Sequence, residues 1–162
     1  MTRSPDVASP VRWTCSPFAA LSSAELYELL QLRTEVFVVE QNCVFQDMDG
    51  ADHQAVHLLG RQMSGGSGDT LVAYARLFPA GVKYEEASIG RVITRHSARG
   101  SGLGHALIRE AMAALVARWG VQPIRIGAQA RLKAYYAQHG FVDVGKPYVE
   151  DGIDHIEMVW QP

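Results

Sequence analysis

Val11, Trp13 and Cys15 alternate with Arg12, Thr14 and Ser16, the period-two pattern of a half-buried strand. Before them, residues 1–9 carry Ser4, Pro5 and Ser9 without periodicity and read as a flexible N-terminal arm. Ser22 followed three residues later by Glu25 is a capping-box pattern. Leu26, Leu29, Leu30, Arg33 and Phe37 then recur at helical spacing, which predicts a first helix from 23 to about 38. Segments 55–62 and 71–79 read as strands joined through 63–69, whose glycines permit the reversal of an antiparallel hairpin. A short β-rich run at 88–94 leads into a glycine-rich turn. Leu103, Leu107, Ile108, Ala111, Met112, Ala114 and Leu115 then form the apolar face of a helix that begins near Gly102 and ends at Trp119-Gly120. Ile124, Ile126 and Ala128 alternate as a fifth strand, and 130–139 reads as a third helix with Gly140 at its left-handed cap. Two closing strands, 141–148 and 154–160, flank the turn signal Glu150-Asp151-Gly152. The order is β-α-β-β-β-α-β-α-β-β, an α/β (α+β) arrangement without repeat or linker, so 10–162 is expected to form a single domain.

Composition narrows the function classes. The 162 residues are 48% hydrophobic and 20% charged, enough apolar surface for one folded core. A net charge of -2 disfavours nucleic acid as a partner. No apolar run reaches the ~20 residues of a membrane span, and the start lacks the apolar stretch of a secretion signal, so the chain reads as cytoplasmic. Cys15 and Cys43 lie outside any Cys-x-x-Cys pair and read as reduced thiols. Charge is unevenly placed along the chain. Between Glu40 and Gly60 there is no Lys or Arg, while Glu40, Asp47, Asp49 and Asp52 are acidic, an expected landing surface for a cationic ligand. Between Arg91 and Arg109 the sign reverses, with Arg91, Arg95, Arg99 and Arg109 beside His96 and His105 and no carboxylate, which suits a polyanion.

The most specific motif is Arg99-Gly100-Ser101-Gly102-Leu103-Gly104, between a strand and a long helix. Consecutive main-chain N–H groups at such a turn, backed by the positive end of the helix dipole, can surround a phosphate. A Walker loop would require Lys and Ser or Thr after the last glycine, where His105-Ala106 stand. A dinucleotide fingerprint would require glycine in place of His105 and a tighter approach from the strand. Metal readings of His53, His57 and the nearby aspartates also fail. Gln54 stands where a zinc protease helix needs Glu, and Leu58 where a calcium loop needs it.

The pattern that fits is Arg/Gln-x-x-Gly-x-Gly/Ala after the strand Arg91-Val-Ile-Thr94, and here the chain resembles the GNAT superfamily of acyl-CoA-dependent N-acyltransferases. The likeness extends through the next strand to Ala-x-x-x-Tyr136-x-x-x-Gly140-Phe141. Leu32-Arg33-x-x-Val-Phe-x-x-Glu40-Gln41, Asp47-x-Asp49-x-x-Asp52, Ala75-Arg76-Leu77, Gly90-Arg91-Val92 and Asp154-His155-Ile156 further resemble its ElaA-like branch.

The resemblance implies the GNAT fold, a mixed and mostly antiparallel central sheet flanked by helices. It implies an N-acetyltransferase that uses acetyl-CoA as co-substrate, needs no metal, and takes a small-molecule or peptide primary amine by direct attack. It leaves a homodimer open. Arg99, Gly100, Ser101, Gly102, Leu103 and Gly104 would receive the coenzyme diphosphate, and the edge of Val92, Ile93 and Thr94 would pair with pantetheine like an added strand. An N–H near Ile93 would face the thioester oxygen. Tyr136 matches the acid that protonates the leaving thiolate, with aromatic packing as its alternative. His155 and Glu40 are further catalytic candidates, and His155 could equally be a hydrogen-bonded sheet residue. Arg33, Arg76 and Arg91 would line the acceptor pocket, with Glu40, or would tie the first helix to the sheet in an ion-pair network. Two rival readings stand beside this one. The chain also faintly resembles acyl-homoserine-lactone synthases, and a coenzyme A-binding module without turnover would show the same turn.

Overall fold

The computed structural model describes residues 10–63 and 68–162. The arm at 1–9 and positions 64–67 of the glycine-containing reversal lie outside the described residues. Among the described residues, seven strands form one sheet: β1 (Val11–Pro17), β2 (Val56–Gln62), β3 (Thr70–Phe78), β4 (Ala87–Thr94), β5 (Ile124–Gln129), β6 (Val142–Glu150) and β7 (Ile153–Trp160). Their spatial order is β1-β2-β3-β4-β5-β7-β6, antiparallel throughout except between β4 and β5. The helices are α1 (Ser23–Arg33), α2 (Leu103–Trp119) and α3 (Lys133–Ala137), so the element order and the mixed, mostly antiparallel sheet are those expected from the sequence. No helix among the described residues is long and apolar enough to cross a membrane.

The two faces of the sheet bury different helices. Leu103, Leu107, Ile108, Ala111 and Leu115 of α2 pack with Leu58, Ala75, Leu77, Ile89, Ile124, Ile126 and Met158. On the other face Leu29 and Leu32 of α1 pack with Leu59, Leu71, Tyr74 and Ile93. Full burial of a side chain such as Leu107 or Leu32 is worth roughly 1.5–3 kcal/mol.

Two helices depart from their expected extents. α1 starts with the reciprocal capping box, Glu25 N–H to Ser22 Oγ at 3.1 Å and Ser22 N–H to Glu25 Oε1 at 3.0 Å. It gives way after Arg33, however, to a wider π-helical stretch, Thr34–Glu40. The Thr34 hydroxyl donates to Leu30 C=O at 3.0 Å, and β-branched Thr34, Val36, Val38 and Val39 crowd this stretch, conditions that loosen an α-helix. The third helix opens as a 3-10 turn, Ala130–Leu132, before α3. Gly140 follows with φ 90°, the left-handed position its sequence context required.

Candidate active site

β4 and β5 pair at Ala87 with Ile124 and Ser88 with Arg125, then separate. The gap between their diverging halves is a cleft of about 940 Å³, lined by Ile89 to Thr94 on one side and Ile126 to Gln129 on the other. On the β3 side of β4 the register slips. Tyr74 faces Ile93 and Arg76 faces Gly90, leaving Ala75 opposite both Arg91 and Val92. Arg91 adopts φ 50° at this bulge. A non-glycine residue in left-handed backbone costs on the order of 1–2 kcal/mol, and bulges of this kind re-aim the groups that follow them.

The glycine-rich turn closes one end of the cleft. Gly100 and Gly102 have φ 90° and 79°, and a side chain built on either would meet no protein atom within 4 Å. The first bond of α2 runs from Ala106 N–H to Gly102 C=O at 3.1 Å, and no side chain caps the helix. The N–H groups of Leu103, Gly104 and His105 therefore have no intrahelical acceptor, and the positive helix end faces open space above the glycines. This is an anion cradle, and a diphosphate fits its chemistry. Thr94, Arg99 and Gly104 line the main cleft. Ser101, Gly102 and Leu103 line a smaller depression behind it, with the Leu103 side chain turned into the core.

Tyr136 lines the cleft from α3 while 7% of its surface is exposed. Its ring meets Phe141 edge-on at 6.1 Å, but no protein hydrogen bond reaches its hydroxyl among the described residues. Burial pushes the phenol well above its ordinary value, so it stays protonated. Its neighbour Tyr135 is spent differently, donating to Gly104 C=O at 2.5 Å and so tying α3 to the cradle. Burial raises the Tyr135 phenol to about 12. Beside this contact His105 Nδ1 and His139 Nε2 lie 2.9 Å apart. Neither link is legible in the residue pattern, because both depend on how α3 lands on α2.

On the opposite wall, His155 Nδ1 lies 2.7 Å from Ile153 C=O. A carbonyl only accepts, so Nδ1 carries a proton, and in the neutral ring Nε2, 3.9 Å from Glu150 Oε2, is the unprotonated nitrogen. The ring stacks on Tyr148 at 5.2 Å, and both line the cleft. Tyr148 and Tyr84 were not anticipated as lining residues. They fit because a Cβ at Gly127 would come 2.1 Å from the Tyr148 hydroxyl and 3.1 Å from that of Tyr84. The turn offered a signal for Tyr148. Asp151 and Gly152, with φ 51° and 75°, make a two-residue hairpin, and such a turn sets Tyr148 opposite His155.

Glu40 also lines the cleft, with its carboxylate engaged by Arg99 and within 3.2 Å of His96 Nδ1. Hydrogen bonding from Arg99 holds this carboxyl below its usual range. Gln41 next to it meets Gln129 at 3.4 Å, and Cys43 Sγ donates to Asp151 C=O at 3.5 Å, so the segment after Glu40 spans the cleft to the β6–β7 turn.

The three arginines, expected either in an acceptor pocket or in an ion-pair network, form such a network with three aspartates. Arg33 is 0% exposed and does not reach the cleft; it donates to Asp47 and Asp52, both at 2.7 Å. Arg76 donates to Asp49 at 2.8 and 2.9 Å and to Asp52 at 3.0 Å. Arg91 donates to Asp47 at 2.8 Å. Arg76 and Arg91 do line the cleft, from beneath. The expected anionic landing surface at 40–52 is therefore corrected: Asp47 and Asp52 are buried and each aspartate is matched by guanidinium. The Arg76 hydrogen bonds hold the Asp49 carboxyl far below its usual range. Burial works against ionisation of Asp52, but Arg33 and Arg76 outweigh it and the carboxyl is lowered. The basic run from Arg91 is likewise satisfied in part, with Arg95 on Glu35 at 2.7 Å.

Comparison with known proteins agrees with this geometry. Residues 35–162 match the model of the acetyltransferase (GNAT) domain. Protein ElaA of Escherichia coli is 41% identical over 148 residues, 91% of this chain and 95% of that protein. Its crystal structure superposes with a TM-score of 0.83, covering 94% of this chain and all of that one (100%). An acyl-CoA N-acyltransferase from Pseudomonas aeruginosa gives a TM-score of 0.85 at 44% identity, covering 93% and 99% of the two chains. Splayed strands, glycine cradle and sequence likeness together place the chain in the GNAT acetyltransferase family, among ElaA-like acyltransferases.

Proposed function

We propose that this chain transfers an acetyl group from acetyl-CoA to a primary amine by direct attack. The observation that carries the reading is the open amide cradle at the start of α2, set beside a cleft lined by a tyrosine whose hydroxyl has no protein partner among the described residues. A bound acyl-CoA supplies the activated thioester. Amides from Gly100 to Gly104 and the Arg99 guanidinium hold its diphosphate, and the free edge of Val92, Ile93 and Thr94 pairs with its pantetheine arm. A main-chain N–H near Ile93, turned by the bulge at Arg91, donates to the oxygen that gains negative charge.

An alkyl amine is almost wholly protonated at neutral pH, a deficit of on the order of 4–5 kcal/mol for its reactive form. His155 Nε2 removes that proton. Tyr136 donates its phenolic proton to the departing thiolate, a role in keeping with a hydroxyl that no protein group among the described residues uses. Gln129, Tyr148 and Tyr84 form the wall that meets the acceptor, and Arg76 and Arg91 support it from below. Attack forms the C–N bond, collapse of the tetrahedral oxyanion breaks the C–S bond, and the second proton released by the nitrogen restores the Tyr136 phenol.

The test is calorimetric titration with coenzyme A alongside thiol release from acetyl-CoA across a panel of primary amines. Micromolar-range binding with amine-dependent release supports the reading. Absence of coenzyme binding refutes it, binding without release identifies a coenzyme-binding module, and release only from long-chain acyl donors identifies a different acyltransferase.

A further inference from the structure

Arg99 opens the cradle, yet its guanidinium is already occupied from two directions. Its Nε and one terminal nitrogen donate to Thr94 C=O at 3.2 and 2.8 Å, fixing the side chain against the end of β4. The two terminal nitrogens, as a fork, donate to both oxygens of Glu40, the second contact at 2.7 Å. The pair is partly open to solvent, 38% on the arginine side chain and 32% on the glutamate. The fork that a diphosphate would engage is thus the fork that Glu40 holds. Glu40 ends the π-helical stretch and lines the same cleft as Gln129 and His155, and its neighbour Gln41 meets Gln129 at 3.4 Å.

We propose that Glu40 and the coenzyme diphosphate compete for Arg99, so that coenzyme binding releases the Glu40 carboxylate into the acceptor end of the cleft. This rests on the reading of residues 99–104 as the diphosphate site. Arg99 remains anchored at Thr94 C=O while its fork exchanges one anion for another, and a diphosphate with more charge and more acceptor oxygens displaces a single half-exposed carboxylate. The freed carboxylate then faces Gln129 and His155, where it receives the ammonium of an incoming amine. Before coenzyme arrives, that carboxylate is neutralised and the acceptor site lacks its anion.

The experiment titrates coenzyme A by calorimetry into the 162-residue protein and into Glu40→Gln, Arg99→Ala and the double variant, with thermal melts to verify folding. Glu40→Gln is isosteric and leaves Arg99 unclaimed. It is expected to bind coenzyme A roughly two- to fivefold tighter than the parent, the range set by what an exposed ion pair is worth. Arg99→Ala is expected to bind more weakly, and the double variant to bind as Arg99→Ala does. Unchanged or weaker binding by Glu40→Gln overturns the proposal, because Glu40 would then be holding Arg99 in place for the ligand. A gain that persists in the Arg99→Ala background also overturns it, since Glu40 would be repelling the diphosphate directly. No heat with the parent protein is a different failure, that of the diphosphate site itself.

Discussion

Replacing Tyr136 with Phe removes one hydroxyl and leaves the ring against Phe141. Because no protein group hydrogen-bonds that hydroxyl among the described residues, its loss orphans no buried partner. The stability change is expected to stay within about 0.5 kcal/mol, a shift of no more than roughly 2 °C for a domain of this size. Catalysis is expected to change far more. Proton donation by a positioned group is typically worth ~10²–10⁴ in rate. Water entering a cleft of about 940 Å³ can replace part of it. Turnover should therefore fall roughly 10- to 1,000-fold, about 1.4–4 kcal/mol of barrier, with coenzyme affinity unchanged. Burial raises the phenol, so the parent enzyme should show no loss of this acid up to at least pH ~10. Thiol release against a reactive amine gives the rate, calorimetry the affinity. Parent-level turnover, or a fall matched by an equal loss of coenzyme binding, refutes the assignment.

Gly102→Val should abolish coenzyme binding in the same titration. Its φ of 79° is strained for a branched residue, and on the proposed reading its side chain would fill the space that phosphate takes. Retained affinity would exclude the turn from the site. His155→Gln should lower the rate on the order of 10- to 100-fold near pH 7 and recover as pH approaches that of the free amine, since the base is then no longer required; a pH-independent deficit contradicts a base role. Asp52→Asn leaves buried Arg33 and Arg76 short of charge and should cost about 3–5 kcal/mol in urea unfolding. The parent should also lose stability in acid. Asp49 and Asp52 are lowered in the folded state, so their contribution is complete above the ordinary carboxylate value near ~3.9 and disappears as pH falls below it. A flat stability profile from pH 5 to 2 would contradict the network.

How far the sequence reached follows from what kind of information each feature carries. The period-two and helical patterns gave the element order, because alternation at Ile124, Ile126 and Ala128 and the stripe from Leu103 to Leu115 are local records of which face is buried. The cradle was legible for the same reason: Gly100 and Gly102 satisfy a local backbone requirement. Tyr136 was reached through resemblance rather than periodicity, since Tyr135 beside it has the same composition signal and a structural use. The π-helical stretch was missed because the apolar positions of 34–40 are equally compatible with an α-helix. Tyr84 and Tyr148 were missed because their meeting requires a small residue on a third strand, Gly127, a coincidence no spacing encodes.

The misread charge is the most instructive case, because its correction explains the site. An acidic run at 40–52 and a basic run at 91–109 look from sequence like two surfaces for two ligands. In the fold they are largely two halves of one structure. Asp47 accepts from Arg33 beneath the sheet and from Arg91 on β4 at 2.7 and 2.8 Å. Its carbonyl also accepts from Arg91 at 3.0 Å. Arg91 is the residue that carries the bulge, with φ 50°, so the guanidinium anchored on Asp47 belongs to the strained backbone that turns Val92 and Ile93 toward the cleft. The strain of a left-handed arginine, on the order of 1–2 kcal/mol, persists only where surrounding contacts over-determine it. Asp47 is that contact. A buried carboxylate that does not line the cleft thereby fixes the backbone of β4 where it turns along the cleft wall, and its charge meets the guanidinium groups of Arg33 and Arg91.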